Sequence, residues 1–403
     1  MPVAAAPRLP DLANVEGLSA SLEAPLVAHV LGKAQQVAAR CAVRAADADH
    51  EGATLEREFG WLHEAGLLQA PLPCRLGGEG WGVKMGTTYP LFLLLREIGR
   101  GSLPVGRVYE GHVNALHLIS LYGTARQQAR FADAACAGKV FAVWNTEAAD
   151  GVRLVPTGRD RYRLEGAKTF ASGAPWVDRP FVNGALPDGS WQMTIVPLDT
   201  LSEKERRQRT DASWWKARGM QASASYRFDF TGLEIGAEHL IGQPGDYLQE
   251  PHFNGGAVRF AAVQLGGAQA LFEAATAHLR SLKRTGDVHQ QARMGEAAIR
   301  LETGTLWLLG AARIAERDVD AEAHVAYAQM TRTAIEAVCL DVLRLVDRSV
   351  GARGLMPPSA VERIGRDLRL YLRQPAPDAV LTNAGRYALE TPPDVRPLGS
   401  DHG

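Results

Sequence analysis

Few residue groupings in this chain have the spacing of a reaction centre. His63-Glu64 opens like a helical zinc motif, but position 67 is Leu, so the second histidine is missing. Gly166-Ala167-Lys168-Thr169 offers a lysine and a hydroxyl, yet it lacks the Gly-Lys pair and the upstream glycine of a phosphate loop. No GxGxxG follows a strand and no GxSxG elbow occurs. The run Gly77-Gly78-Glu79-Gly80 reads as a turn. Cys41, Cys74, Cys136 and Cys339 are far apart, so reduced thiols are expected rather than a disulfide framework. The chemistry-bearing residues are dispersed. They include an imidazole at His112, a carboxylate at Asp378, and an aromatic and a hydroxyl two positions apart at Phe170 and Ser172.

The elements that would position them fall into three regions. A loose, Ala- and Pro-rich segment is expected at 1–21. From 22 to 139 the pattern is helical: Val30, Ala34, Val37, Ala38 and Cys41 recur at i, i+3 and i+4. Further helices are expected at Leu55–Ala65, Leu91–Ile98, His112–Leu121 and Ala125–Ala137. Between 140 and 245 short β-prone runs alternate with turn residues. Tyr226-Arg227-Phe228-Asp229-Phe230 has the period of a half-buried strand, and a small barrel or sandwich is expected. From 246 to 390 longer helices return, with candidates at Val263–Leu282, Ala297–Ile314 and Val325–Val346, before a tail at 391–403.

Composition narrows the partners. The 403 residues carry 44 Lys and Arg against 45 Asp and Glu, a formal charge of −1, so no bulk field favours nucleic acid or an anionic membrane. No cationic start precedes a sustained apolar run, and no apolar run approaches the roughly 18 residues of a membrane span. A cytoplasmic protein acting on a small molecule is expected.

Several segments, in collinear order over about residues 22–375, resemble the acyl-CoA dehydrogenase superfamily. Leu62-His63-Glu64-Ala65-Gly66-Leu67-Leu68, with Pro73 and the glycine run, resembles one family segment. Leu121-Tyr122-Gly123-Thr124-Ala125-Arg126-Gln127-Gln128 resembles a second, and Gly219-Met220-Gln221-Ala222-Ser223-Ala224-Ser225 a third. Gly351-Ala352-Arg353-Gly354, followed by Glu362-Arg363 and Arg366-Asp367, resembles a fourth. The resemblance implies an N-terminal helical domain, a middle β-barrel and a C-terminal four-helix bundle, which agrees with the texture read from the residues.

It also implies FAD, with reduced FMN or FAD supplied by a reductase as the alternative. Val143-Trp144-Asn145-Thr146-Glu147 resembles the strand end that meets the pyrimidine edge, giving Thr146 that role. Lys168-Thr169-Phe170-Ala171-Ser172-Gly173 resembles the segment that packs an aromatic on the ring and brings a hydroxyl to its N5, which assigns Phe170 and Ser172. Flat apolar walls and a few donors are what a flavin ring requires. Family members are homotetramers, or at least homodimers, in which the far end of the cofactor reaches a neighbouring subunit. Arg284, Arg348 and Ala352 match those positions, and an arginine fork suits phosphate oxygens.

The resemblance fails where the reaction needs it most. The family removes an α-proton with a glutamate, and the two places that hold it are Pro375 and Val258 here. Three readings follow. Dehydrogenation of an acyl thioester would use another carboxylate, with Asp378 nearest in sequence. A monooxygenase of the same fold needs no such base and would use His112 and Ser172 near the ring. A non-catalytic flavin-binding or assembly homologue is the third. The electron acceptor is not specified by any residue.

Overall fold

The computed structural model describes residues 24–391 apart from 318. The segment expected at 1–21 lies outside those residues, as does the expected tail after Thr391. The N-terminal region consists of α1 (Ala24–Arg44), α2 (Glu56–Glu64), α3 (Thr88–Gly101), α4 (Leu103–Tyr122) and α5 (Ala125–Cys136). Helix α4 begins nine residues before the periodicity predicted. Pro104 is tolerated in the first turn, and Ser102 caps it by accepting from Val105 N–H. Thr124 and Gln127 exchange hydrogen bonds in a capping box that starts α5. Most of α4 is buried, because it is the helix against which the strands and the C-terminal helices both pack.

The middle region contains β1 (Phe141–Trp144), β2 (Arg153–Gly158), β3 (Arg161–Glu165), β4 (Ala167–Ala171), β5 (Arg179–Ala185) and β6 (Trp191–Ile195). After α6 (Glu203–Arg209) come β7 (Thr210–Asp211), β8 (Tyr226–Asp229), β9 (Glu234–Gly236) and β10 (Leu240–Ile241). The expected barrel or sandwich takes the form of two sheets. One runs β10-β6-β5-β2-β3-β9, with β1 parallel to β5, and the other runs β4-β8-β7. Strand β8 alternates in burial as its period-two pattern requires. Trp144 joins the sheets: its ring lies 5.6 Å from Phe228 and 6.2 Å from Phe230, and its Nε1 donates to the Ser172 carbonyl at 2.9 Å.

The C-terminal region holds short α7 (His252–Gly255), then α8 (Ala257–Ser281), α9 (Val288–Ala315), α10 (Ala321–Gly354), α11 (Ala360–Tyr371) and α12 (Pro377–Glu390). Helices α8 to α11 form the bundle, and α12 lies against α10. Glycines set how closely α3 meets α8. A Cβ on Gly266 would stand 2.0 Å from the Arg96 carbonyl oxygen, and one on Gly99 would stand 2.3 Å from that of Val263. Any larger residue would force the helices apart and loosen the whole seam. Among the described residues, no helix is long and apolar enough to cross a membrane.

Candidate functional site

Strand β4 leaves its ladder with β8 between Lys168 and Ala171, and the irregularity turns Phe170 outward. Phe170 has φ +52° and remains 44% exposed, with its ring edge-on to Trp214 at 4.7 Å and Trp215 at 5.9 Å. Met220, Ala224 and Ala376 also hold positive φ, and all four residues stand in or beside the same hollow. A left-handed non-glycine residue costs about 1–2 kcal/mol, and such strain persists where packing imposes it, typically at working sites.

The hollow has two lobes that share Arg107, Thr146, Phe170 and Pro375. The smaller is a cavity of about 250 Å³ walled by Ser172, Trp215, Met220, Ser223, Ser225 and Tyr371. Here three buried hydroxyls form a chain. Ser172 Oγ lies 2.8 Å from Ser225 Oγ, which lies 2.8 Å from Ser223 Oγ, and Ser223 donates to the Met220 carbonyl at 2.7 Å. Thr146 is placed by its strand end. Its carbonyl accepts from Thr169 N–H at 2.8 Å, while buried Lys168 reaches the Asn145 carbonyl and pairs with Glu147.

The larger lobe, about 390 Å³, lies between the strands, α4, α8 and α10. Tyr247, Phe253 and Phe260 supply apolar surface, and Arg107, Glu110, Asn114, Arg259 and Arg332 supply charge and hydrogen bonds. Glu110 is 1% exposed and is the one carboxylate on either lobe's wall among the described residues. Arg107 pairs with its Oε1, and Asn114 donates to its Oε2 at 2.6 Å. Burial pushes the Glu110 carboxyl above its ordinary pKa, and Arg107 and then Arg259 oppose that rise. Arg259 donates through Nε to Asn114 Oδ1 and through Nη1 to His117 Nδ1 at 3.2 Å. Burial lowers its pKa to about 10.

The structure brings together Thr146, Phe170 and Ser172, and separates the other expected residues from them. His112 is a correction. It is fully buried on the far side of α4 and lines neither lobe. Its Nδ1 accepts from Phe141 N–H at 3.1 Å and its Nε2 donates to the Leu68 carbonyl at 2.7 Å, so both nitrogens hold backbone. Asp378 is a second correction: it sits exposed in the first turn of α12 and lines neither lobe. Arg284, Arg348 and Ala352 gather at one end of the bundle. There Gln290 on α9 reaches the Ser349 carbonyl on α10, and His278 on α8 lies beside Gly354. Arg284 pairs with Asp287 at 2.9 Å, and Arg348 lines an open groove with Arg369 and Arg373.

Sequence reasoning missed Arg107, Glu110, Asn114 and Arg259. A signal was present: Arg107, Glu110, Asn114 and His117 are spaced three, four and three apart, a polar stripe along one face of a mostly apolar helix. A buried helix carries such a stripe only where something polar faces it.

Dibenzothiophene monooxygenase of Mycolicibacterium goodii is 25% identical over 372 residues, covering 84% of this chain and 87% of that protein. A probable acyl-CoA dehydrogenase, YngJ of Bacillus subtilis (strain 168), is 24% identical over 344 residues, 80% of this chain and 86% of its own. The crystal structure of TdsC from Paenibacillus sp. A11-2 with FMN and indole shares the fold. Its TM-score is 0.78 at 20% identity, covering 89% of this chain and 96% of that one. Family models for the N-terminal and C-terminal domains of acyl-CoA dehydrogenase match residues 33–139 and 245–372. With helices, two sheets and a helical bundle in that order around a shared hollow, the chain belongs to the acyl-CoA dehydrogenase superfamily of enzymes.

Proposed function

We propose that this protein is a flavin-dependent monooxygenase acting on a small molecule in the larger lobe. The observation that carries the reading is the lid. Pro375 faces both lobes where the family's glutamate would stand, Ala376 follows it into the larger lobe, and neither can accept a proton. The relatedness to dibenzothiophene monooxygenases over most of both chains supports it.

The residues present fit a flavin. Phe170 and Trp215 offer flat walls, the serine chain offers a fixed hydroxyl, and Arg373 stands at the mouth of the smaller lobe for a phosphate. Reduced FMN or FAD, supplied by a separate reductase, would provide two electrons for dioxygen, one of whose atoms enters the substrate while the other leaves as water. The chain's own part is positional. Because Ser223 donates to the Met220 carbonyl, Ser225 donates to Ser223 and Ser172 to Ser225. Ser172 then presents lone pairs to the lobe and accepts from an N–H there. Pro375 and Pro377 stiffen the segment that carries Pro375 into the wall of both lobes. Arg284, Arg348 and Ala352 would serve the cofactor of a neighbouring subunit in a homo-oligomer.

Glu110 favours a second reading, dehydrogenation with this residue as base, since it is a carboxylate on the wall of the larger lobe. Both of its oxygens are already engaged by Arg107 and Asn114, which weighs against it. The test is to supply reduced FMN in ¹⁸O₂ to the full chain with a panel of neutral and carboxylated aromatic compounds. Label in the product is expected. Anaerobic bleaching of bound flavin by acyl-CoAs, abolished by Glu110→Gln, would overturn the monooxygenase in favour of the second reading.

A further inference from the structure

The two lobes hold more positive charge than the protein itself neutralises. Arg107, Arg259 and Arg332 line the larger lobe, and Arg373 lines the smaller. Two carboxylates answer these four guanidiniums. Glu110 pairs with Arg107, and Glu336 pairs with Arg373 at 2.5 Å. Arg332 donates to the Pro375 carbonyl at 2.6 Å and lies 5.3 Å over the Phe260 ring, and the carboxylate that acts on its charge, Glu336, is already paired with Arg373.

Arg259 is the residue left over. Its Nε and Nη1 are bonded to a neutral amide and a neutral imidazole, and no acceptor among the described residues meets its Nη2. That group lies next to Gly256, on the wall of the larger lobe. The carboxylate that acts on the Arg259 charge, Glu110, is already paired with Arg107, so an oxyanion on a ligand would supply an unshared counter-charge and a partner for the open side of the fork. Phe170, Tyr247, Phe253 and Phe260 give the lobe aromatic surface beside the polar Asn145, Thr146 and Asn254, and its volume holds a ring-sized body.

We propose that the larger lobe takes a ligand with an apolar, ring-sized body and one anionic group, a carboxylate or comparable oxyanion, which docks on Arg259 and Arg332. This deepens the monooxygenase reading, on which it rests for calling the ligand the substrate. The same chemistry has a second source in the phosphate of the flavin, so the test must separate the two.

Benzoate, benzamide, FMN and riboflavin are titrated into the full-length protein by calorimetry, a readout independent of turnover. Benzoate is expected to bind at least about tenfold more tightly than benzamide. Arg259→Gln should erase that preference and leave the FMN-over-riboflavin preference intact, while Arg259→Lys, which keeps the charge, should retain most of it. Equal binding of benzoate and benzamide would overturn the proposal. So would an R259Q protein that loses its preference for FMN over riboflavin while benzoate binding is unchanged, because the arginine would then belong to the flavin phosphate. If no flavin binds at all, the monooxygenase reading falls, yet the benzoate preference is still read and judges the anion site by itself.

Discussion

Helix α4 has two buried faces that treat polar groups differently. On one, His112 meets a backbone N–H with one nitrogen and a backbone carbonyl with the other, and its account is closed. On the other, Arg107, Glu110 and Asn114 engage one another and Arg259, and that set keeps a net positive charge and an open donor toward a cavity. Burial is common to both faces, so burial does not separate structural from functional polar residues. What separates them is whether the protein supplies every partner.

The contrast can be broken most forcefully at the ion pair. Arg107→Ala strands Glu110 without its cation and should cost about 3–5 kcal/mol in urea unfolding. A loss below about 1 kcal/mol would mean the cavity face behaves as solvent-exposed surface.

pH separates the faces by sign. Burial lowers His112 to about 4 from an ordinary 6.5. The unfolded chain therefore takes the proton first as the pH falls, and roughly 3 kcal/mol present above about pH 6.5 is lost on approaching pH 4. Glu110 is shifted upward, so the folded chain keeps its proton to higher pH than the unfolded one. It costs stability as the pH climbs above the ordinary carboxylate range. Stability curves of His112→Gln and Glu110→Gln should change slope in opposite directions, and a shared direction would refute the contrast.

Asn114→Ala removes the bridge between Glu110 and Arg259. It is expected to cost about 1–2 kcal/mol by the same unfolding measurement. The smallest effect belongs to Asp378→Asn, since that residue is exposed and outside both lobes. Stability should stay within about 0.5 kcal/mol and oxygenation of the best substrate should be unchanged, whereas a large fall in turnover would restore Asp378 as a reacting group.

These residues also show what the sequence could reveal. The order of helices, strands and helices was legible because each element carries its own period, and β8 is the clearest case. Phe170 and Ser172, which line the smaller lobe, were picked out because the segment 168–173 resembles one of the family's. Glu110 and Arg259 were not, because 148 intervening residues of chain fold before α8 brings Arg259 to Asn114, and no local spacing encodes that meeting. His112 was misplaced for a related reason. Helical periodicity names a face only relative to its neighbours, and the neighbour on that side is the backbone of Phe141. The barrel or sandwich expected from the strand runs takes the form of two sheets joined by Trp144, a pairing that alternation along single strands does not specify.

The aromatic cluster at the rim of the smaller lobe has an optical consequence. Trp214 and Trp215 lie 6.3 Å apart with ring planes 20° from parallel, and Phe170 stands edge-on to both. Two indoles held that near in a chiral frame couple their electronic transitions. An occupant against Trp215 would alter the near-ultraviolet circular dichroism and quench the emission of this pair. The chain thus carries its own reporter of occupancy at the lobe where the serine chain ends, readable without label or turnover.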